Sequence, residues 1–243
     1  MSAIAPRAEP QTAPALEAQR LNTYYGLSHI LRNVDFRVMA QETVTLLGRN
    51  GMGKTTLLRT LMGLVRPKSG SIILGTRDVT GWRPSAVARA GLAFVPENRG
   101  VFPNLTVKEN LTFAARTGGN GRADWNLDRI YSLFPRLAER RQHGGNQLSG
   151  GEQKMLAIGR ALMTNPKLLI LDEATEGLAP LIREEIWSCL SMLKKQGQSV
   201  LVIDKNVGNL ARIADRHFMI ERGRTVWSGT SEQLLAEPEL QHR

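Results

Sequence analysis

A glycine-rich stretch, "GRNGMGKTT" at residues 48–56, contains the residue types that bind phosphate groups. It fits the pattern G-x-x-x-x-G-K-[ST], with Gly48, Gly53, Lys54 and Thr55 at the fixed positions. Backbone N–H groups of such a loop face the phosphate oxygens, and glycine allows their close approach. Lys54 would reach the β- and γ-phosphates, and the Thr55 hydroxyl would bind Mg²⁺. The candidate nucleotide-binding residues of the loop are Gly48, Arg49, Asn50, Gly51, Met52, Gly53, Lys54, Thr55 and Thr56.

Two carboxylates follow an apolar run in "LLILDE", where Asp172 and Glu173 come after four apolar residues. Ligands of parallel sheets bind beyond the carboxyl ends of the strands, so both side chains are well placed for a metal and an attacking water. We expect Asp172 to hold Mg²⁺, and Glu173 to orient or deprotonate the water. The pair therefore predicts hydrolysis of the nucleotide.

A second glycine-rich stretch, "LSGGEQ", lies about 95 residues after the first. Ser149 is predicted to cap a helix, with Glu152 completing a capping box. That prediction does not account for Gly150 and Gly151, because glycine disfavours a helix by up to about 1 kcal/mol against alanine. A phosphate group lying against bare N–H groups would account for them. Either both loops of one chain face each other, or a second copy docks head to tail.

The segments that must position these residues alternate between strand and helix. Apolar strands are expected at 43–48, 91–95, 167–173 and 199–204, and a turn followed by a strand at 67–79. Helices are expected at 54–65, at two places within about 104–145, at 148–165, and from about 181 to Gly197. The alternation predicts an α/β fold with a mostly parallel core sheet covered by helices on both sides. A helical block at about 97–165 interrupts it as an inserted lobe.

Composition sets limits on the class of protein. The chain has 243 residues, 42% of them hydrophobic, a formal charge of +10 and one cysteine, Cys189. It therefore predicts one large domain without an intrachain disulfide, suited to the cytosol. Residues 1–16 read as a loose tail without a secretory signal, and residues 17–243 as the domain. No apolar run is long enough to span a membrane, and the positive charge favours anionic partners.

The three motifs, in this order and spacing, resemble the nucleotide-binding subunit of ATP-binding cassette (ABC) transporters. The resemblance covers about residues 17–235. It implies a P-loop NTPase cassette that hydrolyses ATP, with a mostly parallel core sheet, an antiparallel β subdomain and an inserted α-helical subdomain. It also implies a head-to-tail dimer in which each ATP is held by one subunit's phosphate loop and the other's Ser149, Gly150 and Gly151. By position, Tyr25 resembles the aromatic residue that stacks on adenine.

Further stretches narrow the resemblance to the LivF-type ATPase of branched-chain amino acid importers; they are "VPENRGVFPNLTVKENL", "LSGGEQKMLAIGRALM", "EGLAP" and "ADRHFMIERGR". The chain departs from the general ABC pattern at three positions. Glu97 replaces the loop glutamine near the γ-phosphate and Mg²⁺, as in LivF-like chains. Lys205 replaces the switch histidine, and Ala179 replaces an aspartate. The resemblance implies catalytic roles for Glu173, Lys54, Glu97 and Lys205, and metal contacts from Thr55, Asp172 and Glu97.

The resemblance implies partners as well. Integral membrane permease subunits would dock their cytoplasmic helices on the helical lobe, especially at Glu97–Asn110, at the cytoplasmic face of the inner membrane. A second ABC ATPase subunit, sister or self, would complete the dimer, and a periplasmic binding protein would act indirectly. Cassettes for urea or short amides are the nearest alternatives. A soluble ABC ATPase for nucleic acid, ribosomes or iron–sulfur assembly is a further one. No nucleic acid partner is expected, since one cassette with a short gap between motifs does not fit DNA-repair or translation types.

Overall fold

The computed structural model describes residues 13–118, 121 and 123–237. The strands are β1 (Pro14–Tyr25), β2 (Ser28–Met39), β3 (Thr43–Leu47), β4 (Ser69–Leu74), β5 (Arg77–Asp78), β6 (Leu92–Val95), β7 (Leu168–Leu171), β8 (Ser199–Val202), β9 (Arg216–Glu221) and β10 (Arg224–Gly229). The helices are α1 (Lys54–Leu61), α2 (Pro84–Ala90), α3 (Val107–Ala114), α4 (Leu127–Leu133), α5 (Pro135–Glu139), α6 (Gly150–Leu162), α7 (Pro180–Lys195), α8 (Val207–Ile213) and α9 (Ser231–Ala236). Among the helices of these ranges, none has the length and apolar character needed to cross a membrane.

Two sheets organise the fold. The larger has six strands in the order β10-β9-β3-β8-β7-β6, and its neighbours from β9 to β6 run parallel, while β10 is an antiparallel edge strand. The smaller is antiparallel, in the order β2-β1-β4-β5. Strands β3, β7 and β8 are buried along their whole length, as their uninterrupted apolar character predicts for a sheet covered on both faces. The predicted α/β fold is confirmed.

Several boundaries differ from the sequence-based expectation. Helix α1 ends at Leu61 rather than at residue 65, and Gly63 follows with a left-handed φ of 73°. The second of the two helices expected within about 104–145 covers residues 127–141, and the structure divides it into α4 and α5 at Phe134–Pro135, since proline disrupts a helix interior. Strand β1 begins at Pro14, inside the predicted tail 1–16, because Leu16 is fully buried in the core. Residues 1–12 of that tail lie outside the described residues.

Helix α6 is held against its neighbours by close packing at one glycine. A Cβ at Gly159 would lie 3.0 Å from Cγ2 of Ile130 on α4 and 3.1 Å from Cδ2 of Leu111 on α3. Both of these side chains are fully buried. Glycine at this position leaves room for these two side chains, so α6 packs closely against α3 and α4.

A buried histidine links the core sheet to the C-terminal helix. His217 on β9 is fully buried, and its Nδ1 lies 2.6 Å from the Thr45 hydroxyl on β3 while its Nε2 lies 2.9 Å from the Ser231 hydroxyl. The Ser231 hydroxyl donates to the carbonyl of Ala214, so Nε2 donates to Ser231 and Nδ1 accepts from Thr45. Burial lowers the pKa of His217 to about 4, because a charged ring there would be poorly solvated.

We predict that His217 makes the fold acid-sensitive. The unfolded histidine has a pKa of about 6.5, so the unfolded chain binds more protons between about pH 6.5 and pH 4, and stability decreases as the pH is lowered through that window. The slope from this residue is at most about 1.4 kcal/mol per pH unit. Urea unfolding of His217→Gln should show a flatter dependence over this window, whereas His29→Gln, at a half-buried strand position, should follow wild type. An unchanged slope in His217→Gln would contradict the prediction.

Candidate nucleotide site

The phosphate loop follows β3 and leads into α1, as its sequence pattern requires. Gly48 has a φ of 136°, and a Cβ there would lie 2.3 Å from the carbonyl oxygen of Ile220 on β9. Gly53, at a φ of 108°, is the N-terminal cap of α1, and a Cβ there would lie 3.2 Å from Leu31. Both positions need glycine for conformation and for space. The loop is therefore shaped by its contacts with β2 and β9 as well as by its own sequence.

Lys54 hydrogen-bonds back to the first residues of the phosphate loop. Its Nζ donates to the carbonyl oxygens of Gly48, at 2.5 Å, and Arg49, at 3.0 Å. Burial lowers the pKa of Lys54, and the nearby carboxylates of Glu173 and Asp172 oppose that shift. The ammonium thus lies between the loop backbone and the acidic end of β7, where a cation can bind phosphate oxygens.

Two cavities surround this lysine. The first has a volume of about 670 Å³, and its polar lining includes Gly48, Arg49, Asn50, Lys54, Glu173, Asp204 and Lys205 together with Met52. The second has a volume of about 330 Å³ and is lined by Ile30, Asn50, Gly51, Gly53, Lys54, Thr55, Thr56, Asp172 and Glu173. All nine predicted loop residues line one cavity or the other. The Thr55 hydroxyl and the Asp172 carboxylate share the smaller cavity, and hard oxygen ligands of this kind suit Mg²⁺.

Asp172 directly follows β7 and is 7% exposed. Burial and the negative charge of Glu97 raise the pKa of Asp172, while the ammonium groups of Lys154 and Lys54 oppose the rise. Glu97 is exposed and comes two residues after β6. Its charge also raises the pKa of Glu173. The structure thus brings the three predicted carboxylates into one electrostatic group, although Glu97 lines neither cavity.

Glu173 has an unusual backbone and an unexpected partner. Its φ is 48°, in the left-handed region that residues other than glycine seldom adopt. A hydrogen bond with the Glu176 carboxyl, together with burial, raises the pKa of Glu173 to about 7 and lowers the pKa of Glu176. The sequence analysis did not predict a role for Glu176. A third acidic residue three positions after Glu173 was the sequence feature that could have indicated it. A left-handed backbone and a raised carboxyl pKa occur together at Glu173, a combination that is typical of functional sites.

Lys205, after β8, forms an ion pair with Glu176. This pair raises the pKa of the Lys205 ammonium. Asp204 is not its partner, since the Asp204 carboxylate accepts hydrogen bonds from the Thr175 N–H, at 2.8 Å, and the Thr175 hydroxyl, at 2.7 Å. Lys205 and Glu173 line the same cavity as the phosphate loop. The lysine is therefore within the site and tied to the glutamate beside the predicted base.

The predicted capping box at the start of α6 is present. The Ser149 hydroxyl accepts from the Glu152 N–H at 3.3 Å, and the Glu152 carboxylate accepts from the Ser149 N–H at 2.8 Å. A Cβ at Gly151 would lie 2.6 Å from Cγ2 of Ile182 on α7, and one at Gly150 would lie 2.9 Å from the Arg99 guanidinium. Packing against Ile182 within the chain thus also requires glycine at position 151, whereas the end of the Arg99 side chain can move away from position 150. Ser149, Gly150 and Gly151 line neither cavity.

Tyr25 lies at the end of β1 with 42% of its surface exposed, and it lines neither cavity. Ile30 on β2, which sequence reasoning missed, lines the smaller cavity instead. Ala179 is the N-terminal cap residue of α7 and makes no side-chain cap hydrogen bond. The structure therefore brings together the phosphate loop, the acidic strand end and Lys205, and leaves Tyr25 and the start of α6 outside that group.

Comparison with known proteins places this geometry in a family. The family model described as ABC transporter matches residues 31–176. A high-affinity branched-chain amino acid transport ATP-binding protein, BraG of Pseudomonas aeruginosa, is 41% identical over 93% of this chain and 97% of its own. A probable branched-chain amino acid transport ATP-binding protein, LivF of Archaeoglobus fulgidus, is 34% identical over 90% of this chain and 94% of its own.

Solved structures agree with the sequence relatives. An ATP binding subunit of an ABC transporter superposes with a TM-score of 0.81 at 27% identity, covering 94% of this chain and 95% of that one. A dimeric bacterial ABC transporter cassette superposes with a TM-score of 0.75 at 25% identity, covering 89% of this chain and 98% of that one. The fold and the site define an ATPase with a phosphate loop. The chain belongs to the ABC transporter family, and the predicted resemblance is confirmed.

We predict that Glu176 sets the pH dependence of hydrolysis. With Glu173 as the base, the wild-type rate should fall as the pH drops below about 7, because a protonated carboxyl cannot accept the proton of water. Glu176→Gln replaces the shared proton with an amide that donates to ionised Glu173, so the fall should move to lower pH. Steady-state ATPase rates across pH measure this. Glu184→Gln, an exposed carboxylate on α7, is the charge-matched control, and equal midpoints in all three proteins would contradict the prediction.

Proposed function

We propose that this chain is the ATP-hydrolysing subunit of a membrane importer for branched-chain amino acids, peripheral to the cytoplasmic face of the membrane. The observation that carries the substrate class is the 41% identity, over 93% of the chain, to BraG, which is named for branched-chain amino acid transport. The cavities shared by the phosphate loop and the acidic strand end support the energy-supplying role.

The residues around the two cavities support the binding of Mg-ATP. The loop N–H groups and Lys54 hold the β- and γ-phosphates. Thr55 and Asp172 hold Mg²⁺, with Glu97 close enough to act through its charge. The metal, when bound, neutralises charge on the phosphoryl oxygens. Tyr25 remains a candidate for the adenine, because its exposed ring is free to take a stacking partner.

Hydrolysis is assigned to Glu173 and its neighbours. Glu173 accepts the proton of the attacking water, and its raised pKa of about 7 matches a base that works near neutral pH. Lys205 supplies a permanent positive charge with three donors at the edge of the same cavity. We assign it to the γ-phosphate, where it would stabilise the developing charge after leaving Glu176.

The second glycine-rich stretch is assigned to the ATP of a partner cassette. Ser149 is exposed, and the start of α6 lines neither cavity of its own chain. The Arg99 guanidinium lies against Gly150, so a cation adds to the positive end of the helix dipole. This arrangement favours an anion that arrives from outside the chain. The fold also matches a cassette solved as a dimer.

An exposed aromatic pair is assigned to the permease subunits. Phe102 and Phe113 are 43% and 75% exposed, and their rings meet edge to face with centroids 5.6 Å apart. Buried Asn110 holds the loop before α3, since its side chain bonds the backbone of Phe102, Leu105 and Thr106. Preorganised exposed aromatics are typical of binding surfaces. They lie in or beside the stretch Glu97–Asn110 that was predicted to dock membrane helices.

The head-to-tail arrangement predicts complementation between two inactive variants. Lys54→Ala should weaken Mg-ATP binding, and Ser149→Arg should block closure onto the partner's nucleotide while leaving ATP binding to the monomer nearly intact. In a mixed dimer one site carries both defects and the other carries neither, so ATPase activity should return in part. Native mass spectrometry establishes that mixed dimers form. Mixed dimers without any activity would show that each chain completes its own site.

The importer assignment predicts which ligand stimulates hydrolysis. In vesicles containing the permease subunits, a periplasmic binding protein loaded with leucine, isoleucine or valine should raise the ATPase rate, and one presented with urea or short amides should not. Stimulation by urea or amides alone would overturn the proposed substrate.

The exposed aromatic pair gives a separate prediction about the permease contact. Phe113→Ser should reduce copurification with the permease about tenfold or more, since aromatics that become buried in an interface often dominate its energy. Leu235→Ser, which alters an exposed leucine on α9, is the matched control.

A further inference from the structure

Lys154 is a buried lysine outside the nucleotide cavities. It lies on α6, five residues after Ser149, and only 2% of its surface is exposed. Its Nζ donates to the carbonyl oxygen of Asp172 at 3.2 Å and to that of Pro96 at 3.3 Å. Burial lowers the pKa of Lys154 to about 8, and the charge of Asp172 opposes the shift. A buried amine is unfavourable without compensation, so its hydrogen bonds have a structural consequence.

The two carbonyl groups belong to the ends of neighbouring strands. Pro96 follows β6 and precedes Glu97, and Asp172 follows β7. The Asp172 N–H already donates to the carbonyl of Val95 at 2.9 Å, which extends the pairing of these strands by one step. The Lys154 ammonium bridges the next two carbonyl groups. One side chain of α6 therefore joins the segment that carries Glu97 to the turn that carries Asp172 and Glu173.

A second link joins the same segments. The Arg99 guanidinium donates to the Gln153 side-chain carbonyl at 3.2 Å, and the Gln153 amide donates to the carbonyl of Gly145 at 3.0 Å. Arg99 also lies against Gly150. Residues 96–99 and the first turns of α6 are therefore connected at two points, and Lys154 is the connection that also reaches β7.

We infer that Lys154 is a positioning residue that couples the acidic strand end and the Glu97 segment to the helix start at Ser149–Gly151. Asp172 would hold Mg-ATP, with Glu97 acting through its charge, and the Lys154 ammonium would transmit a shift of these two strand ends to α6. The inference rests on the proposed roles of Asp172 and Glu97, and it does not require a second cassette. The coupling acts through main-chain hydrogen bonds, so it depends on the ammonium donors and not on side-chain volume.

Hydrogen exchange of the full-length chain tests this coupling. Exchange at residues 97–106 and 148–156 is compared with and without a Mg-bound, non-hydrolysable ATP analogue, at concentrations where light scattering shows a monomer. In wild type the analogue should change exchange in both segments. Lys154→Met, which keeps the length of the side chain without the ammonium, should bind the analogue within about threefold of wild type. It should lose at least fivefold of the change at 148–156. Its kcat should fall about tenfold with little change in KM.

Further variants separate the possible results. Lys154→Arg, which keeps charge and donors, should restore part of the coupling, and Lys167→Met, at an exposed lysine before β7, should behave as wild type. Should Lys154→Met fail to fold, as judged by melting, Lys154→Gln takes its place. Asp172→Asn tests the metal assignment separately, since it should abolish the Mg-dependent part of both changes. A normal response at 148–156 in Lys154→Met, with Asp172→Asn defective, overturns the coupling alone. No response of wild type at either segment overturns both the assignment and the coupling.

Discussion

The site depends on the parallel pairing of four core strands, whose carboxyl ends lie at one edge of the sheet. Val95 of β6 pairs with Leu171 of β7, Leu171 pairs with Val202 of β8, and Val202 pairs with Thr45 of β3. Each of the four strands ends at its residue in this set of pairs or within two residues after it. The phosphate loop, the Glu97 segment, the Asp172 turn and the Lys205 turn therefore leave the sheet at one level. Hydrogen-bond register brings residues that are about 150 positions apart in the chain into one site.

Charge balance is the second constraint at this edge. The carboxylates of Glu97, Asp172 and Glu173 lie together at this edge. Burial raises the pKa of Asp172, the hydrogen bond with Glu176 raises the pKa of Glu173, and the negative charge of Glu97 adds to both shifts. Three ammonium groups offset them: Lys54 lies on the loop backbone, Lys154 lies beneath the strand ends, and Lys205 pairs with Glu176. Each cation has a partner other than the carboxylate that the proposed chemistry uses. Asp172 and Glu173 thus stay available to a metal and to water.

Motif and periodicity were enough to predict the phosphate loop, the acidic strand end, the capping box at Ser149 and the α/β class, because each depends on neighbouring residues. The rest depends on contacts between distant segments. Glu173, which hydrogen-bonds with Glu176, has a left-handed backbone, and no local pattern predicts that conformation. Lys154 occupies a position that sequence alone would assign to an ordinary helix surface, yet tertiary packing buries it. The end of α4 before Pro135, in contrast, is predictable from the sequence, because proline disrupts a helix interior.

The two glycines at the start of α6 satisfy two requirements at once. Within the chain, Gly151 leaves room for Ile182 and Gly150 for Arg99. In the proposed dimer, the same missing side chains expose backbone N–H groups to a phosphate. A substitution at Gly151 would disturb both the packing against Ile182 and the nucleotide contact, and its effect could not be assigned to one of them. Ser149 differs, because it is exposed and its local bond is a single capping interaction worth about 1 kcal/mol. The contribution of this helix start to a partner's ATP can therefore be measured at the serine, where packing within the chain contributes least.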